Sequence, residues 1–115
     1  MQYRNLGSTN LSVSVLSIGT VELGMDYGIQ APDNFERPDE KEAVDLLRSA
    51  VSSGVNLFDT APSYGNSEIV LGKTLGEQCS CYIATKVSGL QSGQILSNQN
   101  DYDWDITNSI ESSLQ

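Results

Sequence analysis

The sequence predicts an α/β fold built on parallel strands, and three observations lead there. After an opening hairpin pattern, short apolar runs with strand character are followed three times by polar loops or helix-spaced segments. The helical segments carry their own punctuation, with Asp39 and Glu42 at capping-box spacing and Gly54 and Gly76 as stops. The polar residues of each run fall at its carboxyl end, where α/β folds place their functional loops.

Taken in order, "MQYRNLGSTNLSVS" reads as two short strands around a Gly-Ser-Thr-Asn turn. "VSVLSIGT", Val13 to Thr20, reads as one continuous strand ending at Gly19. A long polar loop is expected from Val21 to Pro38, with Tyr27 as a possible pocket aromatic supported by location alone. Asp39 starts a helix whose apolar face is Ala43, Leu46, Leu47, Ala50 and Val51. Val55 to Asp59 follows as a strand, with Val55, Leu57 and Asp59 on one face. Ser67 is expected to cap a second helix, apolar at Ile69, Val70, Leu71 and Leu75. Cys81 to Val87 reads as a buried strand that turns Lys86 inward with Tyr82 and Ala84. Ser88 to Asn100 reads as loop. "DWDITNSIESSLQ" then starts a third helix, with Ile106, Ile110 and Leu114 at i, i+4 and i+8. That stripe meets Gln115 without a stop signal, so the expectation is a truncated chain or the first part of a larger fold.

A chain of 115 residues accommodates one domain. Fifteen acidic against six basic residues give a formal charge of −9, a field that disfavours nucleic acid and anionic membranes as partners. Arg4, Arg37, Lys41, Arg48, Lys73 and Lys86 are scattered rather than clustered. The N-terminus lacks the apolar stretch of a signal peptide and no run approaches membrane length, so the expected setting is the cytoplasm. Cys79 and Cys81 are read as small apolar residues on one strand face, and no metal is expected, because histidine is absent and a second cysteine pair is lacking. "LGKTLG" is not a phosphate loop: its first glycine is replaced by Ser67 and it lies in a helical pattern. The acidic "DYDW" is an ordinary helix start.

The chemistry concentrates in "GVNLFDTAPSYGNSE", Gly54 to Glu68. A strand ends in Asp59, and Tyr64 follows in a turn made by Pro62 and Gly65. Alone, Asp59 is as readily a turn cap, Tyr64 a half-buried loop aromatic and Lys86 a solvated strand end. Their conjunction is specific. With "IATK" and the preceding "LGSTNLSVSVLSIGT", the stretch resembles the aldo/keto reductase superfamily, and "SEIVLGKTLGE" fits it in order and spacing. The likeness covers essentially the whole chain, most weakly at Val21 to Pro38 and Ser88 to Asp103.

The resemblance implies the N-terminal part of a (β/α)8 TIM barrel: a β-hairpin plugging its bottom, then the first three βα units. It implies NADPH-dependent reduction of small aldehydes and ketones without a Rossmann domain. Asp59, Tyr64 and Lys86 match three of the family's four catalytic residues, and Gly19, Thr20 and Asp59 match contacts near the nicotinamide. The fourth residue, a histidine, and the cofactor-phosphate site would lie beyond Gln115. The roles are physically coherent. Tyrosine ordinarily titrates at ~10; a lysine beside it favours the phenolate, and a carboxylate orients the lysine. Three βα units also leave sheet edges unpaired, so self-association is expected. The competing reading is a non-catalytic, family-derived binding or regulatory protein, which the missing histidine favours.

Overall fold

A computed structural model describes residues 1–28, 36–76, 79–88 and 99–114, and the side chains of all of these except 99–105. The chain opens with an antiparallel hairpin of β1 (Tyr3–Asn5) and β2 (Ser12–Ser14), turned at Gly7, which has φ 56°. Three parallel strands follow in the order β3 (Ile18–Gly19), β4 (Leu57–Asp59), β5 (Tyr82–Ala84). Ile18 pairs with Phe58 and Phe58 with Ile83, while Gly19, Asp59 and Ala84 share the next row. The α/β class with a parallel sheet is therefore observed.

The expected strand from Val13 to Thr20 is broken in two. The Ser14 hydroxyl donates to the Leu16 carbonyl (2.6 Å), and the Ser14 amide donates to Asn56 Oδ1 (2.7 Å), so the backbone bends between the sheets. The expected loop after Thr20 begins instead with a short helix, α1 (Val21–Gly24), which packs on α3 (Ser67–Leu75). Residues 29–35 of that loop lie outside the described residues, and Tyr27 is exposed.

Helix α2 (Glu40–Ser52) starts as its sequence demands. The Asp39 carboxylate accepts from the Glu42 amide (2.8 Å), and the Asp39 amide donates to the Glu42 carboxylate (3.0 Å). Its buried contacts are Ala43 and Leu47, with Val44, Ala50 and Val51 packed alongside; Leu46 points away and is 44% exposed. Gly54, at φ 90°, turns the chain into the next strand. The core gathers Leu23, Ala43, Leu47, Val55, Phe58, Val70 and Leu71, which places α1, α2 and α3 on the Phe58 face of the sheet. Asp59, one residue on, projects from the opposite face.

Asn56 ties the hairpin beneath the sheet. Its side chain accepts from the Ser14 amide and donates to the Ser12 carbonyl (3.0 Å), its amide donates to the Ser14 hydroxyl (3.1 Å), and its carbonyl accepts from the Tyr82 amide (2.7 Å). The Tyr3 hydroxyl adds a bond to the Gly54 carbonyl (2.8 Å).

Asn66, not Ser67, occupies the cap position of α3, and it makes no side-chain cap bond. Ser67 is buried with its hydroxyl turned inward. Gly76 ends the helix at φ 55°. The pair Cys79 and Cys81 precedes β5 rather than lying in it. The chain bends there, the two Cα atoms are 5.2 Å apart, and the cysteines are joined as a disulfide instead of being free; Cys81 also packs against the core. Strand β5 stops at Ala84, shorter than expected. The expected loop at 89–98 lies outside the described residues, and helix α4 (Gln99–Ser113) already includes residues 99 and 100. Its Ile106 and Ile110, and Leu114 just past its end, remain exposed.

Candidate active site

The carboxyl ends of β3, β4 and β5 lie side by side, so the segments following them converge. Thr20 locks the first two together: its amide and its hydroxyl each donate to the Asp59 carbonyl at 3.0 Å, and the residue is fully buried. The Thr60 amide bonds the Ala84 carbonyl (2.9 Å), extending the parallel pairing one step beyond Asp59. The Thr60 hydroxyl is buried without a partner among the described residues.

Lys86 sits two residues past the end of β5. Its Nζ lies 2.9 and 3.0 Å from the two Asp59 carboxylate oxygens and 3.0 Å from the Thr60 carbonyl oxygen. It also stands 4.9 Å from the centroid of the Tyr64 ring, within cation–π range. The hydrogen bond to Asp59 is the main reason the Lys86 ammonium is held above its ordinary 10.5; partial desolvation opposes the shift and the Tyr64 phenol adds to it. The lysine side chain is 47% exposed and the aspartate 51%, so water screens the pair. Its value is orientation more than stability.

Tyr64 is presented by a tight turn. Its amide donates to the Ala61 carbonyl (3.0 Å), its carbonyl accepts from the Ser67 amide (3.1 Å), and Gly65 follows at φ 60°. The buried Ser67 hydroxyl lies 2.6 Å from the Thr20 carbonyl oxygen and 2.8 Å from that of Tyr64, tying this turn to the end of the neighbouring strand. Glu68 accepts from the Thr85 hydroxyl and, at 3.4 Å, from Ser113 of α4. The Ser88 amide donates to the Ser109 hydroxyl (2.7 Å), so the stretch carrying Lys86 is held from two sides.

The structure thus brings Asp59, Tyr64 and Lys86 together at one end of a parallel sheet. Gly19 is exposed beside them, with no heavy atom within 4 Å of where a Cβ would stand. Thr20 contributes through backbone contacts, its hydroxyl being engaged with Asp59. Sequence reasoning missed Ser67, Glu68 and Asn56. Asn56 left one signal, an amide side chain in the otherwise apolar start of "VNLF". A groove of about 300 Å³ runs past Lys86 between Ile83, Val87, Ile110 and Leu114.

Comparison with known proteins identifies the family of the chain. The sequence model of the aldo/keto reductase family matches residues 15–115. The chain is 33% identical to the L-galactose dehydrogenase of Arabidopsis thaliana, over all of this chain and 34% of that protein. It is 28% identical to an aldo-keto reductase of Bacillus subtilis, with the same coverage. A solved structure from Pseudomonas aeruginosa, assigned as an aldo-keto reductase, superposes with a TM-score of 0.70 at 40% identity, covering 97% of this chain and 41% of that one. The chain spans about a third of the length of the curated relatives it matches.

Proposed function

Because the chain belongs to the aldo/keto reductase family, we propose that it carries three of the catalytic groups of an oxidoreductase that reduces aldehyde and ketone carbonyls with NADPH. The observation that supports this most directly is the Lys86 ammonium held between the Asp59 carboxylate and the Tyr64 ring. In the proposed setting the three parallel strands are the first of eight in a (β/α)8 barrel in the cytoplasm, with the hairpin under its floor.

The residues present fit a nicotinamide. The row Gly19, Asp59, Ala84 is exposed and small at both flanks, and the open side of Gly19 admits a flat ring. Gly19 and Asp59 would line it, with Thr20 fixing the strand end from behind. NADPH, when bound, would supply the hydride to the carbonyl carbon and leave as NADP+. Negative charge then develops on the carbonyl oxygen, and the Tyr64 hydroxyl is the acid placed to give it a proton. Lys86 stabilises the phenolate left behind. Asp59 holds Lys86 and balances its charge. The non-catalytic alternative rests on one observation, that none of the 115 residues is histidine.

The test is a chimera in which this chain replaces the matching third of the Bacillus subtilis relative. NADPH oxidation with a reactive aldehyde and NADPH binding by fluorescence quenching are measured with and without Tyr64→Phe. The expected outcome is at least ~100-fold lower turnover in the variant, with binding retained. Equal turnover in the two chimeras would refute Tyr64 as the acid. A parent chimera that binds NADPH but reduces nothing would favour the non-catalytic reading.

A further inference from the structure

Tyr64 owes its position to a place where two backbones touch. Gly24, the last residue of α1, packs against the turn that carries the tyrosine. A Cβ at Gly24 would stand 2.5 Å from the Ser67 amide nitrogen, and nearer still to the Tyr64 carbonyl oxygen and Ser67 Oγ. The contact is reciprocal. A Cβ at Gly65 would stand 2.9 Å from the Gly24 carbonyl carbon and closer to its oxygen, and Gly65 has φ 60°, a region that other residues rarely adopt. The obstacles are mostly backbone atoms and a buried hydroxyl, so a side chain here could not be relieved by a rotamer change.

The same junction is fastened by a charge. The Gly24 carbonyl accepts from Arg37 Nη1 at 2.9 Å and from the Asn66 amide at 3.4 Å. One carbonyl therefore joins the chain after α1, the arginine ahead of α2 and the residue that opens α3. By contrast, Gly72 in the middle of α3 has nothing within 4 Å of a Cβ position.

We infer that the Gly24–Gly65 contact, fastened by Arg37, is a positioning device for Tyr64: it sets the turn that holds the phenol beside the Lys86 ammonium. This rests on the reading of Tyr64 as the acid. Among the described residues no hydrogen bond joins Gly24 or Arg37 to Lys86 or Asp59, and they act through the Tyr64 backbone. A shift of an ångström at that turn carries the hydroxyl away from its proton acceptor, and misplacement on that scale costs on the order of 100-fold in rate.

The test reads the Lys86–Tyr64 geometry directly. In the 115-residue chain with labelled lysine, Lys86 Nζ stands 4.9 Å from the Tyr64 ring centroid, so the adjoining ε-methylene protons should resonate upfield of those of Lys41, whose partner is the exposed Asp45. Gly24→Ala is expected to move the Lys86 signal toward the Lys41 position, while Gly72→Ala leaves it in place. In the chimera, Gly24→Ala should lower kcat on the order of 100-fold and leave KM within a few-fold. A folded Gly24→Ala chain that keeps the wild-type shift would overturn the inference. Should that variant not fold, Arg37→Ala removes the guanidinium alone: a partial loss of the shift supports the device, and an unchanged shift refutes it. The NMR readout needs no turnover, so an inactive parent chimera with the shift intact would remove the proposed reaction and leave the positioning standing.

Discussion

The Lys86 ammonium meets two acceptors of different kind, the Asp59 carboxylate and the Thr60 backbone carbonyl, and a third neighbour in the Tyr64 ring. Its proton is held more tightly than in the unfolded chain, because the folded value is raised above 10.5. The sign follows. A raised lysine value contributes stability that is fully present below 10.5 and is lost as pH rises through the folded value. Titrating the Lys86 ε-carbon by NMR should give a midpoint above that of Lys86 in the Asp59→Asn variant. The Lys86→Met stability difference should be flat from about pH 6 to about pH 9 and shrink only beyond the lysine range. Coincident midpoints would mean that the contact does not persist in solution. Asp59, Tyr64 and Lys86 could be singled out in the sequence because together they sit in stretches that resemble one family's motifs; alone, each reads as an ordinary turn, loop or strand-end residue. Gly24 and Arg37 could not: Gly24 meets the backbone of a turn some forty residues on, and Arg37 bonds the Gly24 carbonyl across 13 residues, so neither leaves a local pattern.

Among elements, α2 was the most legible because its signals are local. Both arms of its capping box fall within four residues, Asp39 to Glu42. Asp39→Ala removes an acceptor for the Glu42 amide and should cost ~1 kcal/mol, a fall in Tm of roughly 4 °C for a chain of this size. Thermal unfolding followed by circular dichroism checks it, and Asp39→Asn should recover most of the loss. An unchanged Tm for Asp39→Ala would show that the box is not formed. The strands were legible in place but not in length. Nothing local to "VSVLSIGT" announces the bend after Ser14, because the group that takes the Ser14 amide belongs to Asn56. Helix α1 is four residues long and leans on α3, so periodicity had too few positions to register.

At the scale of the whole molecule, the hairpin, the parallel order and the convergence of the strand ends follow the alternation of patterns along the chain. The outer edges of β3 and β5 have no strand beside them among the described residues. Near the β5 edge, Ile83, Val87, Ile110 and Leu114 are exposed, the last at 81%. An open edge flanked by apolar side chains is a template for association, while the charge of −9 pushes copies apart. The two effects predict that the isolated chain self-associates more as salt rises, since screening weakens the repulsion and leaves the apolar contact. Sedimentation velocity over a range of protein and salt concentrations should show a coefficient that climbs with both. A monomer at every condition would refute the proposed self-association.

The Asn56 tie has a consequence for the order of folding. Its bonds to Ser14 and Ser12 close stretches of 42 and 44 residues, and the Tyr3–Gly54 bond closes 51. Closing a loop of ~40 residues costs roughly 2 kcal/mol more chain entropy than closing one of about four. The α2 capping box and the hairpin turn can therefore form early. The hairpin can seat beneath the sheet only after α2 and β4 have brought Asn56 into reach, which makes its docking a late event and leaves the floor under the strand ends among the last parts of the molecule to close.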